Sequence, residues 1–172
     1  VELKKELDIS NEPYTWYPQR AGRVDLVMQR AEETGAINDP VQRQEIARLH
    51  ILSESAKWTA QRAKAAQKAG KPQGPEGSLG KLAASEIARL AARVHTNISA
   101  NDALLTGPSS VHDGVVAEIL VSVPAVSIAG GTDEIQRNIV AERVLGLPKE
   151  PRFDEGPFRN VQRNSAAKDP GK

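Results

Sequence analysis

Eight apolar residues, Leu79, Leu82, Ala83, Ile87, Leu90, Ala91, Val94 and Ile98, fall on one face of a 3.6-residue period. No stretch of useful length shows the two-residue alternation of a half-buried strand, so the pattern commits the chain to helices. Ser78 is placed to cap this helix, which is expected to run to about residue 105. Asn38-Asp39-Pro40 marks the start of another helix: Asp39 can accept from free amides, and Pro40 fits a first turn whose N–H has no partner. Val41, Ile46, Leu49, Leu52, Ala56 and Ala60 carry it to about Ala69, where Gly70 ends it. The segment 70–77, with three glycines and two prolines, reads as a turn.

Shorter helices are expected elsewhere. One spans 22–35, with Val24, Leu26, Val27 and Ala31 as its apolar positions and Gly35 as its stop. Another spans 113–122 and halts at Pro124. A last one follows the joint Gly130-Gly131, capped by Thr132, with Ile135, Ile139, Val140 and Val144 as its stripe and Gly146 and Pro148 as its end. The product is an all-α antiparallel four-helix bundle over 20–148, with two long helices as its spine. Residues 1–19 form an irregular lead-in, in which Tyr14, Trp16 and Tyr17 either plug a gap in the core or dock on another domain. Residues 149–172 form an extended, partly disordered tail.

Composition narrows the chemistry. Aromatics are 3% of 172 residues, so the core must be Ala, Leu, Ile and Val. With 23 basic and 22 acidic residues the net charge is +1, which gives no electrostatic footprint for nucleic acid. Absence of cysteine removes thiolate chemistry and Cys-ligated zinc. His50, His95 and His112 lack ligand spacing, so no metal site is expected. No apolar window reaches transmembrane length. The start at Val1 shows no signal peptide, and a cytoplasmic location is expected; with Met28 the only methionine, either the start was processed or this is a piece of a longer protein.

The stretch with chemical potential is Gly130-Gly131-Thr132-Asp133-Glu134. Glycines let backbone approach a ligand, and free helix-start amides favour an anion. Spacing alone favours a flexible joint followed by a capped helix. The nineteen residues Gly130-Gly131-Thr132-Asp133-Glu134-Ile135-Gln136-Arg137-Asn138-Ile139-Val140-Ala141-Glu142-Arg143-Val144-Leu145-Gly146-Leu147-Pro148 closely resemble the C-terminal end of bacterial acyl-CoA dehydrogenases. The layout from Gly22 onward is similar to that family's C-terminal four-helix domain, in pattern more than identity.

The resemblance implies a flavoenzyme that oxidises an acyl-CoA thioester to its enoyl-CoA. A base takes the α-proton, the β-hydride passes to FAD, and electrons leave to an electron-transfer flavoprotein. It also implies a homo- or hetero-oligomer, dimeric or tetrameric, and upstream domains beyond this segment. Thr132 matches a threonine that helps hold FAD. Glu134 stands where family members have a cofactor-touching glutamine, and Gly131 permits close approach. Arg30 is the counterpart of an arginine that reaches the pyrophosphate of a neighbour's FAD. It is one place out of register, with Glu32 and Glu33 beside it and Thr34 replacing Phe.

Other departures bear on catalysis. Many members carry their catalytic glutamate immediately before the Gly-Thr pair, where this chain has Gly130. No catalytic residue is therefore assigned in the segment, and the base is expected outside it. Leu104 occupies the place of a further FAD-facing glutamine. These departures keep open a second reading, a non-catalytic helical partner or oligomerisation module of a hetero-oligomeric dehydrogenase, and a third, a related flavin oxidase. Asp133 reads as a charge favourable at a helix start, and Arg89 and Arg93 as a solvated face.

Overall fold

A computed structural model describes residues 18–72, 74–108, 110–149, 156, 157 and 159. The aromatic cluster at 14–17 and most of the proposed tail lie outside the described residues. Five α-helices are described: α1 Val27–Glu33, α2 Pro40–Lys68, α3 Glu76–Ser99, α4 Val115–Ser122 and α5 Asp133–Arg143. Short 3₁₀ turns link them, and no strand occurs among the described residues. The expected helical class holds, built from one long antiparallel pair and three short helices. No described helix is long and apolar enough to cross a membrane.

Local signals act largely as read. Asp39 has an extended backbone and its side chain accepts from the Val41 amide at 2.7 Å, with Pro40 opening α2. Thr132 caps α5 in the same way, accepting from Ile135 N at 3.3 Å. Three boundaries differ. The first helix starts only at Val27, because Gly22 and Arg23 are both left-handed (φ 82° and 43°) and a 3₁₀ turn precedes it. α3 starts at Glu76 behind Pro75, with no side-chain cap, and Ser78 is buried within it. It ends at Ser99 rather than near 105, because Ala100 turns to φ 48°.

α3 is the spine. It buries residues on most of its circumference, whereas α2 buries only Ile46 and Leu49. One face, with Leu90, Ala91, Val94 and Ile98, packs on Val27 and Ala31 of α1 and on Ile46 and Leu49 of α2. The other, with Ala88 and Ala92, packs on Val115, Val116 and Ile119 of α4, and on Ala103 and Val123. Small residues make two cores around one helix possible, since alanines let neighbours approach closely. The tightest approach is at Gly22, where a Cβ would lie 2.7 Å from Ala91 Cβ. Of the expected stripes, Leu79 is exposed on α3, and Ile135 and Val144 are exposed at the α5 end. Trp58 of α2 is 60% exposed.

His95 of α3 is buried, with 1% exposure. Its Nε2 donates to the Arg23 carbonyl at 3.0 Å, and its Nδ1 is buried without a partner. Burial pushes the imidazole below its ordinary value of 6.5, against the opposing pull of the Arg23 and Gly22 backbone and of Asp25.

Two predictions follow from this packing. Leu90 is 3% exposed, so Leu90→Ala should cost about 2–5 kcal/mol in denaturant melts; a change below about 0.5 kcal/mol would contradict the core assignment. For His95 the unfolded chain takes the proton first, so its contribution is complete above about pH 6.5 and is lost as pH falls below it. His95→Gln should flatten the stability slope between about pH 6.5 and 5 relative to the parent, and parallel slopes would contradict the buried neutral imidazole.

Candidate functional site at the start of helix α5

Gly130 and Gly131 turn the chain with φ of 68° and 90°, a region that L side chains rarely occupy. Gln136, one turn into α5, is buried, and its Nε2 donates back to the Gly130 carbonyl at 3.0 Å. A Cβ on Gly131 would lie 2.9 Å from that same nitrogen, so residue 131 is glycine both for its dihedral and for this staple. At Gly130 nothing lies within 4 Å of a built Cβ, leaving that side of the turn open.

What fixes the turn in space is Asp133. It is 3% exposed at the first position of α5. Lys81 Nζ reaches its Oδ1 at 2.7 Å, and Arg89 Nη1 reaches its Oδ2 at 2.7 Å. Arg89 also donates to Ser127 Oγ, and Ser85, fully buried between the two cations in sequence, donates to the Val126 carbonyl at 3.3 Å. Lys81, Ser85 and Arg89 are four residues apart, so they form one row along α3. That row clamps both α5 and the 3₁₀ turn Val123–Ser127 onto the spine. Arg89 is therefore an ion-pairing element of the fold while its side chain stays 41% exposed, so the solvated face also carries a tie. Asp133 is likewise more than a favourable charge at a helix start. Arg93 instead pairs with Glu45 of α2.

Burial alone would raise the Asp133 carboxyl. Arg89, Lys81 and Ser85 overcome it and hold the group far below the usual carboxylate range. A buried, doubly paired carboxylate of this kind cannot act as a general base near neutrality. Glu134 is exposed, and its carboxyl is drawn down by its own backbone amide and by the Thr132 hydroxyl. Arg137 lies 3.6 Å from it. Thus Gly131, Thr132 and Glu134 share one turn at the helix start, where the Thr132 hydroxyl already takes the Ile135 amide, the Glu134 carboxyl takes its own, and the open glycine side is that of Gly130. A helix start beside an open glycine turn fits a polar part of a cofactor.

Arg30 is elsewhere. It binds Ser99 and Asp102, whereas the α5 start binds residues 81–89. Ten residues of α3 separate Arg89 from Ser99, about 15 Å along the axis. Leu104 is 74% exposed at the end of the 3₁₀ turn Ala100–Leu104. No group of three or more His, Cys, Asp or Glu side chains suited to a metal occurs among the described residues.

A small helical domain whose glycine turn opens onto a braced helix start is the class these features define. Residues 21–145 match the family model described as "Acyl-CoA dehydrogenase, C-terminal domain", and the chain belongs to that family. It is 31% identical over 136 residues to the acyl-CoA dehydrogenase IpdE1 of Mycobacterium tuberculosis. That alignment covers 76% of this chain and 33% of the relative, so the chain spans about a third of the relative's length. Among solved structures, the Tcur3481–Tcur3483 steroid ACAD superposes with TM-score 0.65 at 21% identity, over 74% of this chain and 34% of that one, a likeness of fold. The ChsE4–ChsE5 complex from Mycobacterium tuberculosis gives 0.59 at 26% identity, over 66% and 30%.

The Asp133 brace makes a signed prediction. Because its folded-state carboxyl sits below the ordinary value of 3.8, its contribution is complete above that value and is lost as pH falls through the folded pKa. Asp133→Ala should destabilise by about 3 kcal/mol at pH 7, since it leaves Lys81 without its counter-charge. The deficit should shrink on acidification below about pH 4. A deficit that stays constant down to pH 2 would contradict the brace.

Proposed function

We propose that this chain is the C-terminal helical domain of an FAD-dependent acyl-CoA dehydrogenase subunit, acting on an acyl-CoA thioester within a homo- or hetero-oligomer. The observation that carries the reading is the braced turn: Gly131, Thr132 and Glu134 are presented on a helix start that Asp133 and Gln136 fix to the bundle. FAD, when bound, supplies the hydride acceptor. Residues of this chain would hold and orient it: the Thr132 hydroxyl and the start of α5 at its polar part, Glu134 as an acceptor, and the Gly130-Gly131 turn with its approach open on the Gly130 side. The partner that would accept its electrons, on this reading, is an electron-transfer flavoprotein.

The α-proton must go to a base outside the described residues. Gly130 has no side chain, and Asp133, the carboxylate nearest in sequence on the other side of Thr132, is sequestered. The same observation favours a second reading, a non-catalytic subunit whose partner supplies the working site. The ChsE4–ChsE5 relative is itself a complex of two named components, which supports a hetero-oligomeric setting.

Protein expressed from the whole reading frame should purify with flavin absorbance. Thr132→Val should weaken FAD retention by roughly 3–10-fold, the worth of one hydrogen bond, while Thr132→Ser, which keeps the hydroxyl, should bind as the parent does. Flavin-free protein, or equal retention by both variants, would sink the cofactor role. Flavin retention with turnover that appears only on adding a second subunit would select the partner reading.

A further inference from the structure

A second charged cluster lies at the far end of α3. Arg30 of α1 is 6% exposed, although it carries a permanent charge. Its Nε donates to Ser99 Oγ at 3.1 Å and its Nη2 to Asp102 Oδ2 at 2.9 Å, while Nη1 stands 3.5 Å from Glu33 Oε2. Every edge of the guanidinium thus has a partner from this chain. Asp102 arrives there because Ala100 breaks α3 with φ 48°, ψ −126°, an unfavourable conformation for a residue with a side chain, and starts a 3₁₀ turn. The Asp102 side chain is 47% exposed against 7% for Arg30, so the carboxylate stands on the solvent side of the cation.

Charge at this end also runs against an anion. One arginine faces two carboxylates, Asp102 and Glu33; His112, whose Nε2 lies 3.5 Å from Glu33 Oε2, is the other ionisable group beside them. An arginine fork binds carboxylate and phosphate with the same geometry. We propose that Asp102 is a built-in counter-anion that takes the phosphate's place on Arg30 and closes this end of the domain to the pyrophosphate of a dinucleotide. Arg30 then acts as a brace joining α1 to the end of α3, in contrast to the cofactor contact that its family counterpart implies. The inference is independent of the Thr132 reading, which concerns the other end of α3.

Calorimetric titration of the full chain with inorganic pyrophosphate, and separately with ADP, at low ionic strength tests it. The criterion is the part of binding that depends on Arg30, so binding at the α5 start does not enter. The parent should show no Arg30-dependent binding. Asp102→Asn, which removes the charge and keeps the shape, should bind at least about tenfold more tightly than the parent, as expected for freeing one charge-assisted pair. Adding Arg30→Gln should abolish the gain. Asp102→Ser carries the same comparison as a second neutral variant. Arg30-dependent binding by the parent equal to that of the variants would overturn the proposal. So would folded Asp102 variants that gain nothing.

Discussion

A carboxylate taken out of water must be matched by charge, and in this domain one buried carboxylate, Asp133, organises the side that faces function. Lys81 and Arg89 meet its two oxygens at 2.7 Å each, and Ser85 between them ties the same row to the Val126 carbonyl. Remove the match and α5 loses its registration on α3, because its outward apolar residues, Ile135 and Val144, are half exposed and give little else to bury. The glycine turn then loses its fixed platform. The Gln136–Gly130 staple acts over a shorter range, closing the turn on its own helix.

The rest of the fold supplies a rigid partner for that brace. α3 carries two apolar faces with small alanines in both, Ala91 on one and Ala88 and Ala92 on the other, so the four other described helices can share one spine in a chain with few aromatics. Its two ends hold opposite electrostatic solutions. Near the start, two cations enclose an acid of α5; near the finish, an acid and a serine enclose a cation of α1. Both are cross-helix ties, and both use partners far apart in sequence.

That separation explains what sequence reading could reach. Asp39 with Pro40, Thr132 as a cap and the helix-ending Gly35 act through residues within four positions, and each appears where the local pattern puts it. The polar row Lys81-Ser85-Arg89 was visible as a four-residue repeat, but such a row on a helix reads equally as a water-facing side until its partner, 44 or more residues away, is known. Arg30 misleads for the same reason: its burial depends on Asp102, which depends in turn on the unexpected dihedral of Ala100. The candidate turn itself was legible as Gly-Gly-Thr. Its fixing by Asp133 and Gln136 was not, since Asp at a first helical position normally needs no explanation beyond the helix dipole.

The most direct measurement is hydrogen exchange across residues 130–140 in the parent and in Asp133→Asn, in parallel with the core of α3. The account predicts that the variant loses protection through the α5 start while amides around residues 90–98 keep theirs. Unchanged protection at 130–140 would contradict it, because the glycine turn would then stand on something other than the buried pair.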